Sequence, residues 1–238
     1  MSGHSKWAKI HRNKGVADAK RGTLFTKLGK TITVAAKEGG GDPETNFKLR
    51  LAVDKARAQN MPKENIERAI KRGTGGAEGG KIETIMYEGF GPGGSAFIVE
   101  CLTDNRNRTG SVMKHLFSKY GGGIGSPNSV LWQFKNTGTI GLSTLDGKTE
   151  LELIDLGATD IERKGDITVV SCEPAHLEKL KRHLEEKNIP LEFSENDLVP
   201  QNKIVISDKA TKEKIDSFIS EIEDNEDANN YFTNAEYE

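Results

Sequence analysis

The side chains best placed by type and spacing to do chemistry are cations. Lys6, Trp7, Lys9, His11, Arg12 and Lys14 lie in residues 1–19, which show no apolar period, so a charged arm carrying one aromatic precedes the first core-forming stretch. Lys20 and Arg21 extend the arm. Lys27, Lys30 and Lys37 follow on an arc beside a helical apolar stripe, and Arg50 and Arg57 stand seven apart on the next helical stretch. Residues 1–72 carry 17 Lys+Arg against 7 Asp+Glu, a net of +10, so few acids are available for i,i+4 pairing. Gly and Asn interrupt the arm and let backbone approach a phosphate, while an aromatic among cations can stack on an unpaired base or wedge into a groove. Counterion release from several phosphates would supply most of the affinity. The pattern points to nucleic acid, DNA or rRNA, as partner; an ordinary solvated surface is the plain alternative.

Other constellations are thinner. Asn105, Arg106 and Arg108 form a candidate second anion site, balanced evenly against helix capping with solvated arginines. Gly89-x-Gly91-x-x-Gly94 matches a dinucleotide fingerprint only as a string, because Pro92 lies inside it and strand patterns flank it; a hairpin turn is the better reading. The run from Gly75 to Lys81 resembles a phosphate-binding loop, but Ile82 stands where Ser or Thr should hold a metal. His176 and His183 are seven apart without a third ligand, and Cys101 and Cys172 are isolated. No catalytic residue, metal set, cofactor or small-molecule substrate is expected, and the chain is read as a non-enzyme.

The elements that must hold the cations follow from periodicity. Leu24, Leu28, Ile32 and Ala35 predict a helix over 23–38; Leu49, Ala52, Val53 and Ala56 predict a second, beginning at Pro43; Ile66, Ala69 and Ile70, after Pro62, predict a third. The Asn60-Met61-Pro62 corner between the last two is a candidate probing tip, unless Met61 packs on Ile66. The glycine-rich stretch 73–80 reads as a joint, giving a helical basic domain over 1–78. Strands are expected at 81–90, 95–103 and 129–134, with a helix over 104–120. Residues 135–200 follow the order βαββαβ of a ferredoxin-like unit. A strand and helix after Pro200 have no sheet of their own and bury best against the 81–134 sheet. The expected fold is therefore α+β: a three-helix domain, a discontinuous α/β domain (79–134 and 201–238), and a ferredoxin-like unit (135–200) inserted within it.

The whole chain of 238 residues has a net charge of −2, which hides the basic head, for residues 135–200 and 201–238 each carry −6. No run approaches the roughly 20 apolar residues of a membrane span, and no signal sequence is apparent. The two isolated cysteines suit a reducing cytoplasm.

Longer strings carry a resemblance. Ser2-Gly3-His4-Ser5-Lys6-Trp7, Asp18-Ala19-Lys20-Arg21-Gly22, Phe25-Thr26-Lys27 and Asn60-Met61-Pro62-Lys63-Glu64-Asn65-Ile66 resemble the YebC/PmpR family. So do Tyr87-Glu88-Gly89-Phe90-Gly91-Pro92-Gly93-Gly94, Thr103-Asp104-Asn105-Arg106-Asn107-Arg108-Thr109, Phe117-Ser118-Lys119 and Ser129-Val130. The resemblance implies three domains, the middle one discontinuous, and a probable DNA-binding transcriptional regulator. It also implies an alternative, since a mitochondrial relative is a translational activator and bacterial relatives are linked to ribosomes stalled at proline runs. The arm starts at Met1 as the family's does, which implies no transit peptide and a cytoplasmic setting. A third reading, a scaffold binding protein through exposed sheet edges, requires no nucleic acid. Both nucleic-acid readings predict that Lys20→Glu with Lys27→Glu abolishes binding while His176→Ala does not.

Overall fold

The first apolar stripe becomes one long helix, α1 (Asp18–Gly39), beginning five residues before Thr23. The structure is a computed structural model and describes residues 18–75 and 82–237. Asn46 then fixes the turn into α2 (Phe47–Ala58): its side chain accepts the Leu49 N–H at 3.1 Å and donates to the carbonyls of Ala35 and Gly40, both at 2.8 Å. One residue thus caps one helix and satisfies the open end of the other. α3 (Lys63–Gly73) follows Pro62. A Cβ on Gly73 would lie 2.3 Å from the Thr33 carbonyl oxygen, so the close approach of α3 to α1 requires glycine there. Leu28, Ile32, Ala35, Leu49, Val53, Ala56, Ile66 and Ala69 fill the bundle. Met61 is buried in the same cluster as Ile66, so its side chain is a core contact, while Asn60 and Pro62 on either side of it are exposed.

Period-two segments form β1 (Glu83–Phe90) and β2 (Ala96–Thr103), paired antiparallel from Glu83 opposite Thr103 to Phe90 opposite Ala96. Gly89, Gly91 and Gly94 therefore belong to a hairpin, with Gly93 and Gly94 at φ of +69° and +73°. α4 (Arg106–Lys119) and β3 (Gly123–Ile124) follow. The strand expected at 129–134 does not form until Phe134. Glu88, buried, accepts the N–H groups of Asn128, Val130 and Leu131 at 2.8, 3.1 and 2.9 Å, which turns that backbone onto a carboxylate instead of a neighbouring strand.

Two compact units are distinguished: 18–75, 82–131 and 204–237 form the first, and 132–203 the second. In the second, β4 (Phe134–Leu142), α5 (Gly147–Leu156), β5 (Ala158–Lys164), β6 (Ile167–Cys172), α6 (Leu177–Glu186) and β7 (Leu191–Pro200) build an antiparallel sheet of order β5-β6-β4-β7. This is the ferredoxin-like arrangement, with Ile140, Leu142, Leu153, Val170, Leu180 and Leu184 as its core. The chain then returns to the first unit as β8 (Ile204–Ile206), α7 (Lys209–Asp224), β9 (Ala228–Thr233) and β10 (Ala235–Tyr237). β9 joins the edge of β2, giving the order β3-β1-β2-β9, and β10 pairs with β8 in parallel. Phe218 of α7 meets Phe97 and Phe117 edge-on, with centroids 4.9 and 5.0 Å away, so the returning helix completes the core begun by β2 and α4.

Candidate nucleic-acid interface

α1 has two faces. Leu28, Ile32 and Ala35 turn to the bundle, while Lys27, Lys30 and Thr31 turn to the end of α7, the turn after it and the start of β9. Lys27 Nζ donates to the Glu223 carbonyl, and burial pushes its pKa down to about 8 against the opposing pull of Glu223 and Asp224. Lys30 Nζ donates to the Glu226 carbonyl at 3.0 Å and to the Asp227 carboxylate. Thr31 Oγ1 donates to Asn229 Oδ1 at 3.0 Å. Lys37, nearer the helix end, donates to the Ile82 carbonyl at 3.3 Å. The expected arc of phosphate-facing lysines is thus divided: Lys27 and Lys30 are engaged with the body, because the helix face that carries them is also the one it docks by.

Asp227 gathers more than Lys30. Its carboxylate accepts from Thr109 Oγ1 at 2.7 Å and from Arg108 Nη2 at 3.1 Å, and its backbone carbonyl accepts the Leu102 N–H at 2.8 Å. Burial alone would raise its pKa, but the hydrogen bonds from Lys30, Thr109 and Arg108 prevail and hold it below the usual carboxylate range. α1 and α4 meet at this side chain, and β2 at its backbone carbonyl. Nothing in the tail's sequence marks Asp227 out from the acids around it, and sequence reasoning missed it.

At the start of α4, Asn105 accepts the Arg108 N–H at 3.0 Å and caps the helix, and Arg108 divides its guanidinium between Asp104 and Asp227, each at 3.1 Å. Of the expected second anion site, Asn105 and Arg108 are committed to protein partners, and Arg106 is exposed.

Among the exposed or half-exposed cations of the bundle are Arg21 at the start of α1, Arg50 and Arg57 on one flank of α2, Lys48 and Lys55 on the other, and Lys63, Arg68 and Lys71 on α3. Arg50 lies over the Phe47 ring at 5.1 Å, and Arg57 pairs with Asp54 at 3.5 Å, both ends of that pair largely in solvent. Such an exposed pair yields readily to a phosphate. Lys6, Trp7, Lys9, His11, Arg12 and Lys14 lie outside the described residues, as does the Lys20 side chain.

Cys101 is fully buried, and burial raises its thiol to about 12. His183 bonds Glu152 at 2.9 Å, joining α6 to α5. Among the described residues no group of three or more His, Cys, Asp or Glu is disposed to hold a metal, and no helix is long and apolar enough to cross a membrane.

Residues 5–76 match the family model described as the TACO1/YebC protein N-terminal domain, and residues 82–235 match that of the TACO1/YebC second and third domain. The chain belongs to the TACO1/YebC family. A relative from Halothermothrix orenii, named a probable transcriptional regulatory protein, is 44% identical over 98% of this chain and 94% of its own length. One from Desulforapulum autotrophicum, of the same designation, is 46% identical over 99% of this chain and 96% of its own. A crystal structure of a conserved hypothetical protein from Aquifex aeolicus superposes with a TM-score of 0.85 at 38% identity, covering 98% of both chains. The α+β architecture of this YebC-family chain is thus shared with a solved structure.

Proposed function

We propose that this YebC-family protein is a non-enzymatic, nucleic-acid-binding regulator of gene expression whose helical domain grips the phosphodiester backbone, with DNA-bound transcriptional regulation as the first reading. The observation that carries the proposal is the +10 charge of residues 1–72 in a chain of net −2. The designation of the relatives as probable transcriptional regulatory proteins supports the regulatory part. Arg21, Arg50 and Arg57 supply exposed or half-exposed cations on the described bundle, and the arm from Lys6 to Lys14 adds charge in sequence.

A second reading, attachment to rRNA as a translation factor, is favoured by one feature of the bundle. α3 opens on Lys63, Glu64, Asn65 and Glu67, with Lys63 paired to Glu67 at 3.6 Å. A helix read into a major groove presents its first residues to base edges, and carboxylates there meet the flanking phosphates unfavourably. Recognition by backbone and shape fits such a bundle better than base readout, and structured RNA is bound in that way. Crosslinking followed by sequencing of the bound nucleic acid separates the two: promoter-like enrichment supports DNA, and clustering on large-subunit rRNA supports the ribosome.

Lys20→Glu with Lys27→Glu is not a clean test, since Lys27 is tied to Glu223. Arg21→Glu with Arg57→Glu alters exposed positions instead. At fixed salt it should weaken oligonucleotide binding by about tenfold or more and reduce the salt slope by about two. Unchanged affinity in the folded double variant would overturn the proposal.

A further inference from the structure

The helical domain and the α/β domain it docks on have separate hydrophobic cores. What joins α1 to the 223–229 segment is polar: Lys27 on the Glu223 carbonyl, Lys30 on Glu226 and Asp227, and Thr31 on Asn229. The covalent connection between the domains is the glycine-rich stretch 73–80. A joint made of ionic and hydrogen bonds depends on salt and on competing charge, whereas a shared apolar core would not.

The groups gathered there are those a phosphodiester would take. Lys30 and Arg108 reach one carboxylate from two elements, with Thr109 as a neutral donor, and Lys27 lies on the same docking face of α1 as Lys30. Asp227 is 10% exposed in its side chain, and Arg108 is 52% exposed, so one arm of the cluster is already open to solvent. Two cations and a hydroxyl donor around one anionic oxygen pair is a common way of holding a phosphate.

We propose that Asp227 acts as an intramolecular stand-in for a phosphate, so that nucleic acid and the Asp227 carboxylate compete for Lys30 and Arg108, and binding releases the helical domain from the body. The inference rests on the nucleic-acid reading above and deepens it: the cations expected to bind are held in reserve. When α1 undocks, Lys27 and Lys30 join the outward cations and Arg108 is free to turn to the backbone of the ligand.

Cysteines placed at Glu64 and Thr84, both exposed, carry a fluorescent donor and acceptor, because the native Cys101 and Cys172 are buried. The probes are a labelled single-stranded oligonucleotide and its duplex. Asp227→Asn keeps an acceptor for Thr109 and removes the charge. It should bind several-fold more tightly, steepen the salt slope by about two, and separate the labels without ligand. Lys30→Gln breaks the same pair from the other side; it should separate the labels while steepening the slope less than Asp227→Asn, since one of the released cations is gone. A folded Asp227→Asn protein with unchanged affinity and slope overturns the inference, as does a label distance unaffected by either variant. If the wild type binds neither probe, the nucleic-acid reading fails by itself. The competition is then judged with inorganic polyphosphate: label separation on its addition supports it, and a fixed distance overturns it.

Discussion

Lys27 shows how one side chain changes meaning between sequence and structure. In sequence it is one lysine of a basic arc; in the folded chain it is half-buried against Glu223, and its pKa falls to about 8 from 10.5. A lysine whose folded pKa lies below its unfolded one contributes stability above the unfolded value and loses it as pH falls through the folded one. Between pH about 8 and about 10.5 the unfolded state holds more protons, so this group's contribution rises with pH. Lys27→Met keeps the aliphatic stem and removes the titration. The stability of wild type relative to Lys27→Met should therefore rise by roughly 1–3 kcal/mol across that window, as measured by urea unfolding. A constant difference would mean that the ammonium is not buried. The inward turn of Lys27 and Lys30 was not legible beforehand, because helical spacing gives an azimuth but not what lies opposite it. Asp227, which decides the matter for Lys30, is 197 residues away in the chain.

At the scale of elements much more was legible. Apolar periods located α2, α3 and α4 to within a few residues, and alternation located β1 and β2, because each element buries a face whose spacing is its own signature. The misplaced strand at 129–134 had the right composition, but three of its neighbourhood's N–H groups are taken by Glu88, a long-range partner that no local pattern encodes. Asn46 is a similar case: it reads as a turn residue, yet it fastens two helices. Asn46→Ala should destabilise the protein by about 1–3 kcal/mol, since it removes a cap and leaves the carbonyls of Ala35 and Gly40 without their donor. Asn46→Asp keeps the acceptor and loses both donors. If thermal melts place Asp level with Ala, the donors matter; if Asp restores most of the stability, the cap dominates.

For the molecule as a whole, the chain's order of elements separates a charged head from a chemically distinct insertion. The second unit begins and ends on neighbouring backbone, for the Gln201 N–H donates to the Gln133 carbonyl at 2.8 Å and Phe134 pairs with Pro200. An insertion whose ends meet can be removed without stretching the host. Replacing residues 134–200 by two glycines should leave the rest folding cooperatively, because the core around Phe97, Phe117 and Phe218 is built from residues of the first unit. The deletion also removes a net charge of −6. If the helical domain carries the affinity, the shortened protein should bind an oligonucleotide a few-fold more tightly at low salt. The gain should vanish at high salt, where charges beyond a Debye length of about 3 Å no longer act. A large loss of binding in a shortened protein that still melts cooperatively would instead place part of the interface on the ferredoxin-like unit, and the charge-segregated reading of the chain would have to be abandoned.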